Sequence, residues 1–166
     1  MVLIVCASVG ANLKLSEELN EIAKELELPA KVVNLVDYRL PLYSTVEEKE
    51  NGVPQGAQEL ANEFLGATGF VFVAPEYNGG VPPVLNNAFA WVSRSGSENW
   101  REAFQQKFAI CATHSGGPGN KALIAMETIL GHLGCNVLAR KVSTTYGKDL
   151  KKETGVAVLS ELKKLV

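Results

Sequence analysis

The stretch 69–93, GFVFVAPEYNGGVPPVLNNAFAWVS, restricts the possible folds more than any other part of the chain. Its opening run, Phe70-Val71-Phe72-Val73-Ala74, is apolar without a break. The run is too short and too β-branched for a helix and suits a strand buried on both faces. Pro75 ends it, because proline lacks the donor that a central ladder requires. A compact loop follows, Glu76-Tyr77-Asn78-Gly79-Gly80. Pro82 and Pro83 then fit the first turn of a helix, where a missing N–H leaves nothing unpaired. Leu85, Ala88, Phe89 and Val92 recur behind them at helical spacing. A buried strand that passes through a polar, aromatic loop into a helix N-terminus is the repeating unit of an open α/β sheet. Ligands of such sheets sit at the carboxyl ends of the strands.

The same alternation extends along the chain. Residues 2–7 read as a first strand, broken by Ser8-Val9-Gly10-Ala11. From Asn12, an N-cap candidate, Leu15, Leu19, Ile22, Ala23 and Leu26 mark one helical face, with Glu17, Glu18, Glu21 and Lys24 opposite. Residues 32–36 read as a second strand, and 37–54 as a long loop carrying Pro41, acidic residues and Gly52. Ala57, Leu60, Ala61, Phe64 and Leu65 space a second amphipathic helix. Residues 95–101 are polar and expected to be exposed, despite Trp100. Residues 108–112 form a fourth apolar run ending in Thr113-His114-Ser115-Gly116-Gly117-Pro118-Gly119. A helix through Ala122, Met126, Ile129, Leu130 and Leu133 follows, with Gly134 as its stop. Residues 137–142 read as a fifth strand, and Leu159, Leu162 and Leu165 space a final helix. Lys151, Lys152, Lys163 and Lys164 are its solvated face. No repeat or linker interrupts the series, which predicts one domain over residues 1–166. Its parallel sheet has right-handed crossovers and helices on both faces. Five strands favour a flavodoxin-like three-layer sandwich of order 2-1-3-4-5.

Charge and motif content exclude several functions. Lys+Arg 16 against Asp+Glu 18 gives a formal charge of -2, no footprint for nucleic acid or an anionic membrane. The N-terminal apolar run is too short for a signal peptide or a membrane span. Cys6, Cys111 and Cys135 are scattered in or beside apolar runs without metal-ligand spacing. They read as buried hydrophobes of a reduced, cytoplasmic protein, and no metal site is expected. Neither a P-loop nor G-x-G-x-x-G is present, and no paired aspartates follow the first strand. Nucleoside triphosphate hydrolysis and receiver-type phosphorylation are thereby disfavoured.

The chemistry must come from the loops after strands one, three and four, which emerge on one edge of the sheet. Ser8, Gly10, Asn12 and Lys14 offer a hydroxyl, an amide, a cation and exposed N–H groups at a helix start, all suited to a phosphate. A plain turn also uses glycine and serine there. Tyr77 and Asn78 lie beside backbone that Gly79 opens to close approach, and the Ser115-Gly116-Gly117 backbone can meet the polar edge of a ring. Glu76 has a simpler reading as a cap for backbone donors near a helix start. His114 reads as a hydrogen-bonded bystander before a proton donor. Trp91 and Phe89 read as core or oligomer interface. Together the loops describe a site for a mononucleotide with a planar heterocycle.

Residues 75–87, Pro75-Glu76-Tyr77-Asn78-Gly79-Gly80-Val81-Pro82-Pro83-Val84-Leu85-Asn86-Asn87, resemble the signature of the NAD(P)H-dependent FMN reductase family. Leu40-Pro41-Leu42-Tyr43 and Ser115-Gly116-Gly117 extend the resemblance over most of the chain. The resemblance implies FMN as cofactor and NAD(P)H as co-substrate. Electrons would pass by ping-pong turnover to free flavin, a quinone, an azo compound or a metal oxyanion. By position, Ser8, Gly10, Asn12 and Lys14 would line the phosphate end, and Pro75, Glu76, Tyr77, Asn78 and Gly79 the ring and ribityl. Ser115, Gly116 and Gly117 would meet the ring's pyrimidine side, with His114 counted among the cofactor-binding residues. A homodimer or homotetramer is implied, and no catalytic acid–base pair. The chain departs from the family at Gly10 and Ala11, where an arginine is common, and at Asn86 and Ala90, where lysine and aspartate are usual. A flavodoxin-like electron carrier or a flavin-binding module is the competing reading. Such carriers tend to be strongly acidic with a threonine-rich first loop, and neither feature is present here.

Overall fold

The structure, a computed structural model, describes residues 1–95 and 99–166. The sheet is parallel throughout. Strands β1 (Val2–Cys6), β2 (Ala30–Asn34), β3 (Gly69–Val73) and β4 (Phe108–Ser115) lie in the order β2-β1-β3-β4. The position beyond β4 is shared by two short strands, β5 (Asn136–Val137) and β6 (Val142–Thr145). The expected strand order therefore holds. The fifth strand, read at 137–142, is split. Ala109 pairs with Val137 but Ala112 pairs with Val142, so the partner segment carries two extra residues between the pieces and bends away from β4.

Register fixes which side chains go to which face. β1 and β3 pair Val2↔Gly69 through Cys6↔Val73, and β3 continues Gly69↔Phe108 through Val73↔Ala112. Alternation then divides the apolar runs between two cores. Leu3, Val5, Phe70, Phe72 and Cys111 pack beneath α3 (Gln55–Gly66), α4 (Pro83–Arg94) and α5 (Asn120–Leu133). Val2, Ile4, Val71, Val73 and Ile110 pack beneath α1 (Ala11–Glu25) and α6 (Lys152–Lys163). The first core is aromatic, with Phe64 within 5.2–6.1 Å of Phe70, Phe72 and Phe104 between ring centroids.

Several local expectations change. The second strand is 30–34, and Leu35–Tyr38 form a 3₁₀ turn begun by Asn34, whose side chain accepts from the Val36 N–H at 3.1 Å. The apolar run 32–36 continues past the strand because Leu35 is buried as part of that turn. The loop read over 37–54 contains a helix, α2 (Thr45–Asn51), capped by the Ser44 hydroxyl at the Glu47 N–H. None of its residues is buried, so it has no hydrophobic period to read. The rest of that segment is tied to α4. Trp91 Nε1 donates to the Pro41 carbonyl at 2.7 Å, Asn87 Nδ2 donates to it at 2.9 Å, and Asn87 Oδ1 accepts from the Tyr43 N–H at 2.7 Å. Trp91 is fully buried and Phe89 nearly so, which places both in the core. Within 95–101, Ser95 is buried and donates to the Trp91 carbonyl at 2.7 Å, whereas Trp100 is exposed as expected; 96–98 lie outside the described residues. Leu165 falls beyond α6 and is exposed. Among the described residues no helix is long and apolar enough to cross a membrane.

All three cysteines are free and buried. Burial pushes the Cys111 and Cys135 thiols from 9.0 up to about 12. Their folded-state preference for the neutral form contributes stability that is complete below about pH 9 and is lost as pH rises toward about 12. We expect urea midpoints to fall between about pH 9 and 11, and to fall less in a Cys111→Ala, Cys135→Ala protein. A pH-independent midpoint over that window would contradict the assignment.

Candidate functional site

The carboxyl ends of β1, β3 and β4 bring three loops onto one rim, and side chains clamp them together. Asn12 was expected to cap α1. Instead Gly10 is the N-cap, at φ 67, and Asn12 lies one step inside the helix, buried. Its Nδ2 donates to the His114 carbonyl and its Oδ1 accepts from the His114 N–H, both at 2.9 Å. In a parallel sheet alternate residues present both backbone groups to one neighbour. β3 pairs with β4 only as far as Ala112, so the amide of Asn12 stands in for the peptide unit that β3 no longer supplies. Thr113, His114 and Ser115, read as loop, are thus the last residues of β4.

A second clamp joins the other two loops. The Ser115 hydroxyl accepts from the Glu76 N–H at 2.8 Å and lies 3.0 Å from the Thr113 hydroxyl. The Glu76 carboxylate accepts from the Lys121 and Ala122 N–H groups at 3.1 and 3.3 Å, capping α5, which has no side-chain cap of its own. The loop requires Gly119 at φ 65, where an added Cβ would stand 2.6 Å from Thr113 Cγ2.

Pro75 is buried at the end of β3. Tyr77 and Gly80 exchange backbone hydrogen bonds at 3.0 and 2.9 Å around Asn78 (φ 51) and Gly79 (φ 76). Positive φ at both central positions is the type I′ hairpin, for which Asn-Gly is the favoured pair. The Asn78-Gly79 pair is therefore demanded by the turn, and that signal was readable in the sequence. The hairpin lies against the Lys121 stem, 3.3 Å from where a Gly79 Cβ would stand, and holds Tyr77 half exposed. Lys121 carried no sequence signal for this place.

A cavity of about 320 Å³ lies between the second and third loops, bordered by Glu76, Ser115, Gly116, Gly117 and Lys121. Gly10, Gly116 and Gly117 each have open space where a side chain would begin, so a flat ligand can approach the backbone closely. Ser8 donates to the Val9 carbonyl at 3.2 Å on the exposed side of the first loop. Lys14 lies 3.6 Å from Glu18 and borders a separate cavity with His114. The three helix starts on this rim differ in the donors they offer: α4 opens on Pro82-Pro83, which carry no N–H. The start of α5 is already neutralised by Glu76, whereas α1 has no side-chain cap and no acidic residue in its first turn. Its first intrahelical bond is Lys14 N–H to the Gly10 carbonyl, so the amides of Ala11, Asn12 and Leu13 precede the ladder. An anionic group is accordingly favoured at the start of α1. These residues fit a group such as FMN.

Fold and rim define a flavodoxin-like α/β protein. More narrowly, the chain belongs to the NADPH-dependent FMN reductase family, whose model matches residues 1–149. A quinone reductase of Escherichia coli is 44% identical over 55 residues, covering 33% of this chain and 29% of that protein. An NAD(P)H-dependent FMN reductase of Saccharomyces cerevisiae is 26% identical over 142 residues, covering 81% and 70%. The flavoenzyme NAD(P)H:(acceptor) oxidoreductase FerB of Paracoccus denitrificans superposes with a TM-score of 0.78 at 18% identity, covering 99% of this chain and 95% of that one, a likeness of fold. The chain spans 64% of the length of one relative it matches and 29% of another.

Proposed function

We propose that the chain binds FMN across the loops after β1, β3 and β4 and acts as an NAD(P)H-dependent oxidoreductase. Its acceptor is a small molecule: free flavin, a quinone, an azo compound or a metal oxyanion. The observation that carries this reading is the uncapped, acid-free start of α1 on the same sheet edge as a glycine-lined cavity, where Glu76 already occupies the start of α5 and α4 opens on two prolines. Bound FMN supplies a ring that takes up hydride and releases electrons. The chain's part is positional. Asn12 and Ser115 hold the three loops in register, Tyr77 offers a ring face, and the α1 amides receive the phosphate. Glu76 is engaged by two backbone donors, which leaves it unsuited to moving a proton. Donor and acceptor occupy the same opening in turn, giving ping-pong kinetics.

A homodimer or homotetramer is part of the proposal. Leu42 and Val46 are 80% and 60% exposed on the segment tied to α4, whose outer face carries Asn86 and Ala90. Light scattering tests this, and a monomer at working concentration would remove it. Three free, buried thiols support a reduced, cytoplasmic setting.

The deciding experiment incubates the protein with excess FMN, removes unbound flavin, records the visible spectrum and then adds NADPH or NADH without oxygen. Retained oxidised-flavin absorbance that bleaches on addition, and returns with a quinone, is the expected result. A colourless protein after FMN incubation overturns the proposal. Flavin that bleaches only with a separate reductase present would make the protein an electron carrier.

A further inference from the structure

Among the described residues, the cavity between the second and third loops is bordered by one anion, Glu76, and one cation, Lys121. The Glu76 carboxylate is committed to the Lys121 and Ala122 N–H groups. The Lys121 ammonium has no ion pair and no hydrogen-bond partner among the described residues. Its place is one that helix formation disfavours. Lys121 is the second residue of α5, at the positive end of the helix dipole, where an acid adds stability and a cation costs it. A residue that breaks a local rule with no return in the fold points to function.

Its position narrows that function. The Lys121 stem lies against the Asn78-Gly79 turn, with Cδ 3.3 Å and Nζ 3.8 Å from where a Gly79 Cβ would stand. The ammonium is therefore held between the hairpin that carries Tyr77 and the cavity that Gly116 and Gly117 leave open. A fixed anion is poorly served here, because Glu76 already takes two of the α5 amides and adds its own negative charge. A free cation beside open glycine backbone suits a flat ring whose charge changes during turnover.

We propose that Lys121 raises the reduction potential of bound FMN by offsetting the negative charge that reduction adds. The proposal rests on the FMN reading above. Hydride carries two electrons and one proton, so its arrival from NAD(P)H, which leaves as NAD(P)+, adds one negative charge to the cavity. The Glu76 carboxylate repels that charge. Lys121 attracts it, and its flexible stem lets the ammonium turn toward it. The oxidised ring carries no net charge and gains little from the same contact, so Lys121 favours the reduced state selectively.

Lys121→Met keeps a stem against the turn and removes the charge, whereas Lys121→Arg keeps both. Lys121 is exposed, so both variants are expected to fold. Flavin-loaded proteins are reduced against a reference dye without oxygen, and affinity for oxidised FMN is measured separately by fluorescence quenching. Lys121→Met is expected to lower the ratio of reduced to oxidised FMN affinity about tenfold, a fall of about 30 mV in midpoint potential. Its affinity for oxidised FMN should stay within about threefold of the parent, and Lys121→Arg should keep the parent potential. A fall of less than about twofold in that ratio, about 9 mV, overturns the proposal. Equal loss of affinity for both states also overturns it, and leaves Lys121 as packing for the hairpin. A parent that holds and reduces FMN at a potential indifferent to Lys121 sinks only this inference; a parent that holds no FMN sinks the FMN reading and this inference with it.

Discussion

An Asn12→Ala protein unfolds with about 2–4 kcal/mol less free energy than the parent, because two backbone groups at the end of β4 lose their partners together. Asn12 is 4% exposed, and its amide meets the His114 N–H and carbonyl at 2.9 Å each. Alanine is a good helix former, so the loss falls on the clamp and not on α1 itself. Asn12→Asp is the sharper control. It keeps the shape but sets an acceptor against the His114 carbonyl, and is expected to cost at least as much at neutral pH. Because the clamp holds the first loop against β4, FMN affinity should fall in both variants. Urea unfolding with FMN titration measures both effects. A change below about 0.5 kcal/mol in each would show that water replaces the amide without loss.

Tyr77→Ala is expected to raise the FMN dissociation constant about tenfold while leaving the unfolding midpoint within a small shift. Stacking of a planar ring on an aromatic side chain contributes about 1–3 kcal/mol, and tenfold corresponds to about 1.4 kcal/mol. The fold should tolerate the change because Tyr77 is 51% exposed and its contribution to the hairpin comes from backbone groups. Tyr77→Phe keeps the ring and should keep most of the affinity. Asn78→Ala is a poorer probe, since φ 51 there strains any ordinary residue. Asn78→Gly removes the amide without that strain, and isolates what the side chain gives to the ligand. Full FMN retention in Tyr77→Ala would reduce this hairpin to scaffold.

Much of this molecule was legible before its structure. Strongly apolar runs at 2–7, 69–74 and 108–112, separated by helical patterns, can be satisfied only by a sheet covered on both faces. The Pro82-Pro83 start and Gly134 stop of two helices appear where local backbone chemistry puts them. Less was legible at the edges. The second strand is half exposed, so its run slid into a 3₁₀ turn, and the last strand is too short and interrupted to keep a period. α2 buries nothing and so left no trace in hydrophobic spacing.

At the rim, the chain alone determined which loops carry glycines, a tyrosine and amides, because turn geometry and helix starts select those residues locally. Tertiary structure alone decided what each polar side chain does there. Asn12 and His114 are 102 positions apart, and Glu76 meets the start of α5 from 45 positions away. Such pairings depend on where parallel strands stop relative to one another, a register set by packing of two cores. Hydrogen-bond partners at the rim follow from that register and are not encoded in the spacing of the residues themselves.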